Sequence, residues 1–204
     1  MQITINRDDI IQVLANVQGL TNRKSNLAIT ANVLIRTDSE GVRITATDLE
    51  TGFEGYYPAV VGREGAVTIN ARKLFEIVRD FPIQEIKLEE IKNGWIEIGS
   101  GKVMYHIVSL NPDEFPDSPE IDDVRSFDME SGHFKKMIDK TVGIVGESDD
   151  KRAHIIGNCL EKVKEGGKNI VRMVATDGGR LSKMDCVYGD GVDLPPVSYT
   201  HLRA

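Results

Sequence analysis

The 204-residue sequence predicts an α+β fold of antiparallel sheets with helices gathered on one face, assembled from a unit that recurs along the chain. Three observations carry this. Residues 3–14 (ITINRDDIIQVL) align without a gap on residues 67–78 (VTINARKLFEIV) at an offset of 64, so that Thr4, Ile5 and Asn6 recur as Thr68, Ile69 and Asn70. A third copy opens at Phe127, where Ile3, Ile5, Ile10, Val13 and Leu14 map to Phe127, Met129, Phe134, Met137 and Ile138 at an offset of 124. Between the copies lie alternating apolar runs. Self-similarity of this kind fixes the architecture before any single element does.

Each copy begins as a short alternating strand, passes through a polar turn, and becomes an amphipathic helix with apolar residues at i, i+3, i+4 and i+7. The helical segments are residues 7–24, 71–80 and 131–140. About three strands follow each helix. Val42-Arg-Ile-Thr-Ala, Ile86-Lys-Leu, Trp95-Ile-Glu-Ile and Val103-Met-Tyr-His-Ile read as antiparallel strands with one buried face. Ile29-Thr-Ala-Asn-Val-Leu reappears as Ile155-Ile-Gly-Asn-Cys-Leu at offset 126, and Ala46-Thr47-Asp48 as Ala175-Thr176-Asp177 at offset 129. The drift of three fits a longer hairpin turn around Glu165-Gly-Gly-Lys. Two units make a domain, which gives residues 1–120 as one complete domain and residues 121–195 as the first half of another. The Pro- and Asp-rich stretch at 111–126 joins them.

Composition is that of a folded globular chain, with 40% hydrophobic and 28% charged residues. Two cysteines without CxxC spacing, no basic segment leading into an apolar run at the start, and no apolar stretch near 18 residues point to a reducing, cytoplasmic setting away from the membrane. The net charge of −7 argues against nucleic acid only while it is read in bulk. The three helical segments carry nine basic residues (Arg7, Arg23, Lys24, Arg72, Lys73, Arg79, Lys135, Lys136, Lys140) against five acidic ones, so everything else carries −11. If these helices share a face, that face can follow phosphates without reading bases.

Four motifs are recognisable: KSNLAITANVL at residues 24–34, ITATDLE at 44–50, GAVTINARKL at 65–74 and VATDGGRL at 174–181. In order and spacing the chain resembles the bacterial DNA polymerase III beta subunit family, the sliding clamps, over residues 1 to about 195. The resemblance implies the DNA clamp fold, in which two protomers of three similar domains close head to tail into a ring, helices line the hole and sheets form the outer wall. It implies a non-catalytic processivity factor with no cofactor or metal. Its partners are double-stranded DNA, the polymerase III alpha subunit, the clamp loader and other proteins carrying a clamp-binding motif. The DNA-facing residues it implies are Arg23, Lys24, Arg72, Lys73, Arg79, Lys135, Lys136, Lys140 and Arg152. It also implies a partner groove at Ile155, Thr176, Gly178, Gly179, Arg180 and Leu181. Gly179 stands where the family commonly has His, and Ile155 where it commonly has Leu.

Residues 196–204 do not match the family, and the rest of the middle domain and the C-terminal domain are missing, so a truncated chain that neither closes a ring nor completes the groove is expected. The alternative reading is a regulatory or interaction fragment that binds partners without encircling DNA. An enzyme is disfavoured by the residues themselves. His106, His133, His154 and His201 lack metal-ligand spacing. Asp48 and Asp177 sit in repeated Thr-Asp turns, and Gly99-Ser-Gly-Lys102 lacks the first Gly and the final Ser or Thr of a phosphate loop.

Overall fold

The computed structural model describes residues 1–21, 27–38, 41–117, 127–146, 155–188 and 197–200. The chain divides into two compact units, Met1–Pro119 and Glu120–Ala204.

Unit 1 contains the repeat twice. The first half runs β1 (Gln2–Asn6), α1 (Arg7–Thr21), β2 (Asn32–Thr37), β3 (Gly41–Thr47) and β4 (Gly52–Arg63). The second runs β5 (Ala66–Asn70), α2 (Ala71–Arg79), β6 (Glu85–Glu90), β7 (Trp95–Ser100) and β8 (Val103–Val108). The strands form one antiparallel surface in the order β5-β2-β3-β4-β1-β6-β7-β8. β4 joins its two parts, pairing with β3 through residues 52–58 and with β1 through residues 59–63. The first strand of each half is exchanged: β1 lies against β6 of the second half, and β5 against β2 of the first. Where β1 meets β4, its counterpart β5 meets the chain just after β8. There the Thr68 hydroxyl donates to the Leu110 carbonyl at 2.7 Å and the Thr68 N–H donates to Ser109 Oγ at 3.1 Å.

The recurring Thr-Ile-Asn explains why helix follows strand at the same place twice. Ile5 and Ile69 are buried, and the next residue caps the helix: Asn6 Oδ1 accepts the Asp8 N–H at 2.8 Å, and Asn70 Oδ1 accepts the Lys73 N–H at 3.0 Å. Ile10, Val13, Leu14 and Val17 of α1 and Leu74 and Val78 of α2 are fully buried beneath the helices, against Ile3, Ile35, Ile44, Ile86, Leu88 and Ile96 from the strands. Strand alternation puts the other side chains on the far face, where Glu54, Glu85, Glu89 and Glu97 lie among Arg36, Arg43 and Lys87, with Arg43 3.6 Å from Glu54.

Unit 2 contains α3 (Ser131–Thr141), β9 (Asn158–Glu165), β10 (Lys168–Thr176), β11 (Leu181–Tyr188) and β12 (Val197–Thr200), with sheet order β11-β10-β9-β12. The β9–β10 turn is Gly166-Gly167, with φ of +58° and +76° as a two-residue hairpin requires. Residues 197–200, set apart in the sequence as unmatched tail, pair with β9 so that Thr200 faces Asn158, as Asn70 of β5 faces Asn32 of β2.

The third copy differs from its expectation in two respects. Residues 127–130 form no strand. In unit 1 the equivalent β1 is held by ladders on both sides, and the described residues of unit 2 supply neither. Phe134, matched with the fully buried Ile10 and Leu74, is 37% exposed. α1 and α2 flank one another in unit 1, whereas α3 is the single α-helix among the described residues of unit 2. The core there is correspondingly small, with Met137, Leu160, Val171 and Met173 at its centre. Among the described residues, no helix is long and apolar enough to cross a membrane.

Candidate functional site

Two surfaces were expected from the sequence, one basic and one a groove. On the helices, α2 presents Arg72, Lys73 and Arg79 and α3 presents Lys135, Lys136 and Lys140, all exposed. Arg23, Lys24 and Arg152 lie outside the described residues. The described part of α1 adds no outward cation. Arg7 turns inward, its Nη1 donating to the Phe81 carbonyl at 2.7 Å, and the exposed positions are Asp8, Gln12, Ala15, Asn16 and Gly19.

Half of the exposed helical cations are already paired. Arg72 Nε lies 3.0 Å from Glu76 Oε1, and Lys135 Nζ lies 2.7 Å from Asp139 Oδ2, both at i, i+4. Arg79 binds Asp80 through Nε at 3.0 Å and Nη2 at 3.3 Å. That hydrogen bonding holds the Asp80 carboxyl below its ordinary value and raises the guanidinium. Lys73, Lys136 and Lys140 have no carboxylate partner among the described residues.

The groove residues group at one end of the unit 2 sheet. Antiparallel pairing sets the start of β9, three residues after Ile155, beside the end of β10, where residues 176–181 turn into β11. Ile155 is buried, and its carbonyl accepts the Gly146 N–H at 2.9 Å. In the turn, Thr176 Oγ1 donates to the Arg180 carbonyl at 2.6 Å and accepts the Gly178 N–H at 3.1 Å. Asp177 Oδ1 accepts the N–H groups of Gly179 at 2.9 Å and Arg180 at 2.7 Å, while its Oδ2 takes the Arg180 guanidinium at 2.8 and 3.0 Å. The backbone donors lead in drawing the Asp177 carboxyl down to about 2. Gly178 takes φ of +89°. At Gly179 there is room for a side chain: a Cβ would meet nothing nearer than Asp177 Oδ1 at 3.6 Å. Leu181 stands 65% exposed beyond the turn.

The same turn is built in unit 1. Thr47 Oγ1 donates to the Thr51 carbonyl and accepts the Leu49 N–H, each at 3.0 Å. Asp48 Oδ1 accepts the N–H groups of Glu50 at 3.0 Å and Thr51 at 2.7 Å. The geometry therefore belongs to the repeat. What unit 2 adds is Arg180, Leu181 and a glycine where unit 1 places Leu49 at φ of +76°.

A third surface was not singled out from the sequence. β8 is an edge strand, and between it and α2 runs a groove of about 560 Å³ lined by Lys73, Glu76, Asp80, Tyr105, His106 and Val108, among others. Its signal was present: Val103-Met-Tyr-His-Ile-Val carries apolar residues on both faces, and Met104, Tyr105 and Val108 remain exposed. Among the described residues, no cluster of three or more His, Cys, Asp or Glu is placed to hold a metal ion.

Comparison with known proteins bears on these surfaces. Residues 1–119 match the family model described as DNA polymerase III beta subunit, N-terminal domain. A beta sliding clamp of Pseudomonas aeruginosa is 30% identical over 186 residues, covering 89% of this chain and 48% of the relative. One of Chlamydia muridarum is 25% identical over 185 residues, covering 91% and 49%. Among solved structures, a Bartonella birtlesii sliding clamp bound to griselimycin superposes with a TM-score of 0.88 at 28% identity, over 96% of this chain and 52% of that one. A Caulobacter crescentus beta sliding clamp gives 0.85 at 27% identity over 98% and 53%. The chain thus spans about half the length of the relatives it matches. With the doubled unit, its capped helices and the family match over all of unit 1, the chain belongs to the DNA polymerase III beta subunit family.

Proposed function

We propose that this chain is part of a sliding clamp that encircles duplex DNA without sequence specificity and tethers the replicative polymerase, with no chemistry of its own. The observation that carries the reading is the segregation of elements within unit 1 of a family member: both helices pack on one side of a continuous eight-stranded sheet and leave its other face to the strands alone. A ring threaded on DNA needs no tight contact, because it leaves only by opening. Weak phosphate contacts then allow sliding. A polymerase held on the ring meets the primer terminus at high effective concentration, which is the physical content of processivity. The −11 carried outside the helical segments disfavours DNA contact elsewhere on the chain.

In this reading unit 1 is the first clamp domain and unit 2 the first half of the middle domain. Arg72, Arg79, Lys135, Lys136 and Lys140 are the described residues that touch phosphates, with Arg23, Lys24 and Arg152 assigned by family resemblance. Lys73 belongs to the β8 groove as much as to the DNA side. The unpaired β8 edge, with its exposed apolar residues, is one side of the contact between protomers of the homodimeric ring. The turn at residues 176–181, with Ile155, is part of the groove for clamp-binding motifs of the polymerase alpha subunit, the clamp loader and other partners. The room at Gly179 leaves the groove rim lower than a His would.

The test is processivity on primed circular DNA with the protein at its relatives' length. Longer products per binding event, and release of the protein when the circle is cut, are expected. Unchanged product length overturns the clamp reading, as would intrinsic nuclease or ATPase activity in the pure protein.

A further inference from the structure

We propose that the acidic residues interleaved on the helices set the grip on DNA: Glu76, Asp80 and Asp139 hold Arg72, Arg79 and Lys135 as internal ion pairs and so cap the number of cations free to engage phosphate. The inference rests on the DNA reading of these helices and adds a regulating residue to each contact.

The geometry is specific. Each acid sits on the same exposed helix surface as its cation, at 2.7 to 3.0 Å, and for Arg79 and Asp80 the contact is two-pronged. These side chains are half to three-quarters exposed, 74% and 50% for Arg72 and Glu76. Such pairs add little to stability, about 0–1 kcal/mol, so the fold does not require them. Their effect on binding is larger than their effect on folding. A cation paired within the protein accumulates fewer solution anions and must surrender a carboxylate before it takes a phosphate, and the surrendered carboxylate stays nearby and repels the same phosphate. The pairing also arises independently in the two units. At the repeat offset of 60 between α2 and α3, Lys135 matches Phe75 and not Arg72, so the device is not a relic of the repeat. For a protein that must slide, half the exposed cations held back gives a lining that follows the backbone without sticking to it.

The experiment uses the whole chain and measures binding to a duplex of roughly 30 base pairs by fluorescence anisotropy across a series of potassium chloride concentrations, with circular dichroism confirming the fold of each variant. Replacing the three acids together (E76Q, D80N, D139N) is expected to tighten binding about tenfold or more at low salt and to steepen the dependence of log K on log salt by up to about 0.9 for each freed cation. The control E54Q, E89Q, E97Q changes net charge equally on the opposite, strand face of unit 1 and is expected to gain much less. An equal gain in the control, or none in the helix variant, overturns the inference. The reversal K73E, K136E, K140E separates the two levels. If it weakens binding while the acid variant matches wild type, the DNA reading stands and this inference fails. If it changes nothing, the DNA reading of the helices fails with it.

Discussion

Asp177 shows how much one side chain organises. Its carboxylate takes two backbone N–H groups and a guanidinium, while its own N–H donates to the Arg180 carbonyl at 3.3 Å, so the turn is closed from both sides. A carboxyl drawn from its ordinary 3.8 to about 2 contributes stability that is fully present above pH 3.8 and is lost as pH falls toward 2. An NMR titration of the Asp177 carboxyl should therefore give a midpoint near 2. Because the backbone donors lead, Arg180→Ala should leave the midpoint well below 3.8. A return to 3.8 in that variant would mean that the guanidinium, and not the backbone, is the cause. The turn was readable in the sequence because Thr-Asp followed by glycine is local chemistry. Its twin was harder to weigh, since Leu49 adopts a left-handed φ of +76° that costs a leucine about 1–2 kcal/mol, and only the surrounding hydrogen bonds keep it there.

Among the elements, the helices were legible because burial at i, i+3 and i+4 leaves a periodic trace, and the strand before each was legible in unit 1 because the helix cap follows it directly. The caps also show where the third copy weakened. Glu130 precedes α3 with φ of −59° and ψ of 125°, nearly the backbone of Asn70 at −56° and 118°, yet its side chain makes no cap bond. Glu130→Asn should place an acceptor where Asn70 has one and stabilise unit 2 by about 0.5–1 kcal/mol, while Asn70→Ala should cost unit 1 about 1 kcal/mol. Urea unfolding of the two variants checks both, and a destabilised Glu130→Asn would show that the His133 contact at 3.2 Å matters more than the cap. The absence of a strand at residues 127–130 could not be anticipated from its own residues. Phe127 and Met129 alternate like Ile3 and Ile5, but a strand exists only with a partner, and partners are nonlocal. The β8 edge was missed for a related reason: alternation marks a strand's faces and says nothing of which strands lie at a sheet's margin.

At the scale of the molecule, the two units differ in what holds them. Unit 1 buries a continuous core from ten strand and helix elements, whereas unit 2 centres on four fully or nearly buried side chains supported by Phe127, Met129 and Ile138. Hydrogen exchange should find the β9–β10–β11 amides opening at lower free energy than those of β1, β3 and β6, and equal protection would show that cross-strand pairing, such as Arg172 with Asp185 at 2.8 Å and Glu165 at 2.6 Å, compensates for the smaller core. Net charge misled because a sum over 204 residues conceals that the helical segments carry +4 and the remainder −11. One further consequence belongs to β4. Since its first seven residues are laced to β3 and its last five to β1, and β1 is laced in turn to β6, a load drawn along that strand passes through the exchanged strand into the second half of the repeat. The duplicated halves are thereby welded into one mechanical body, and parting them requires both exchanged ladders, β1 with β6 and β5 with β2, to fail.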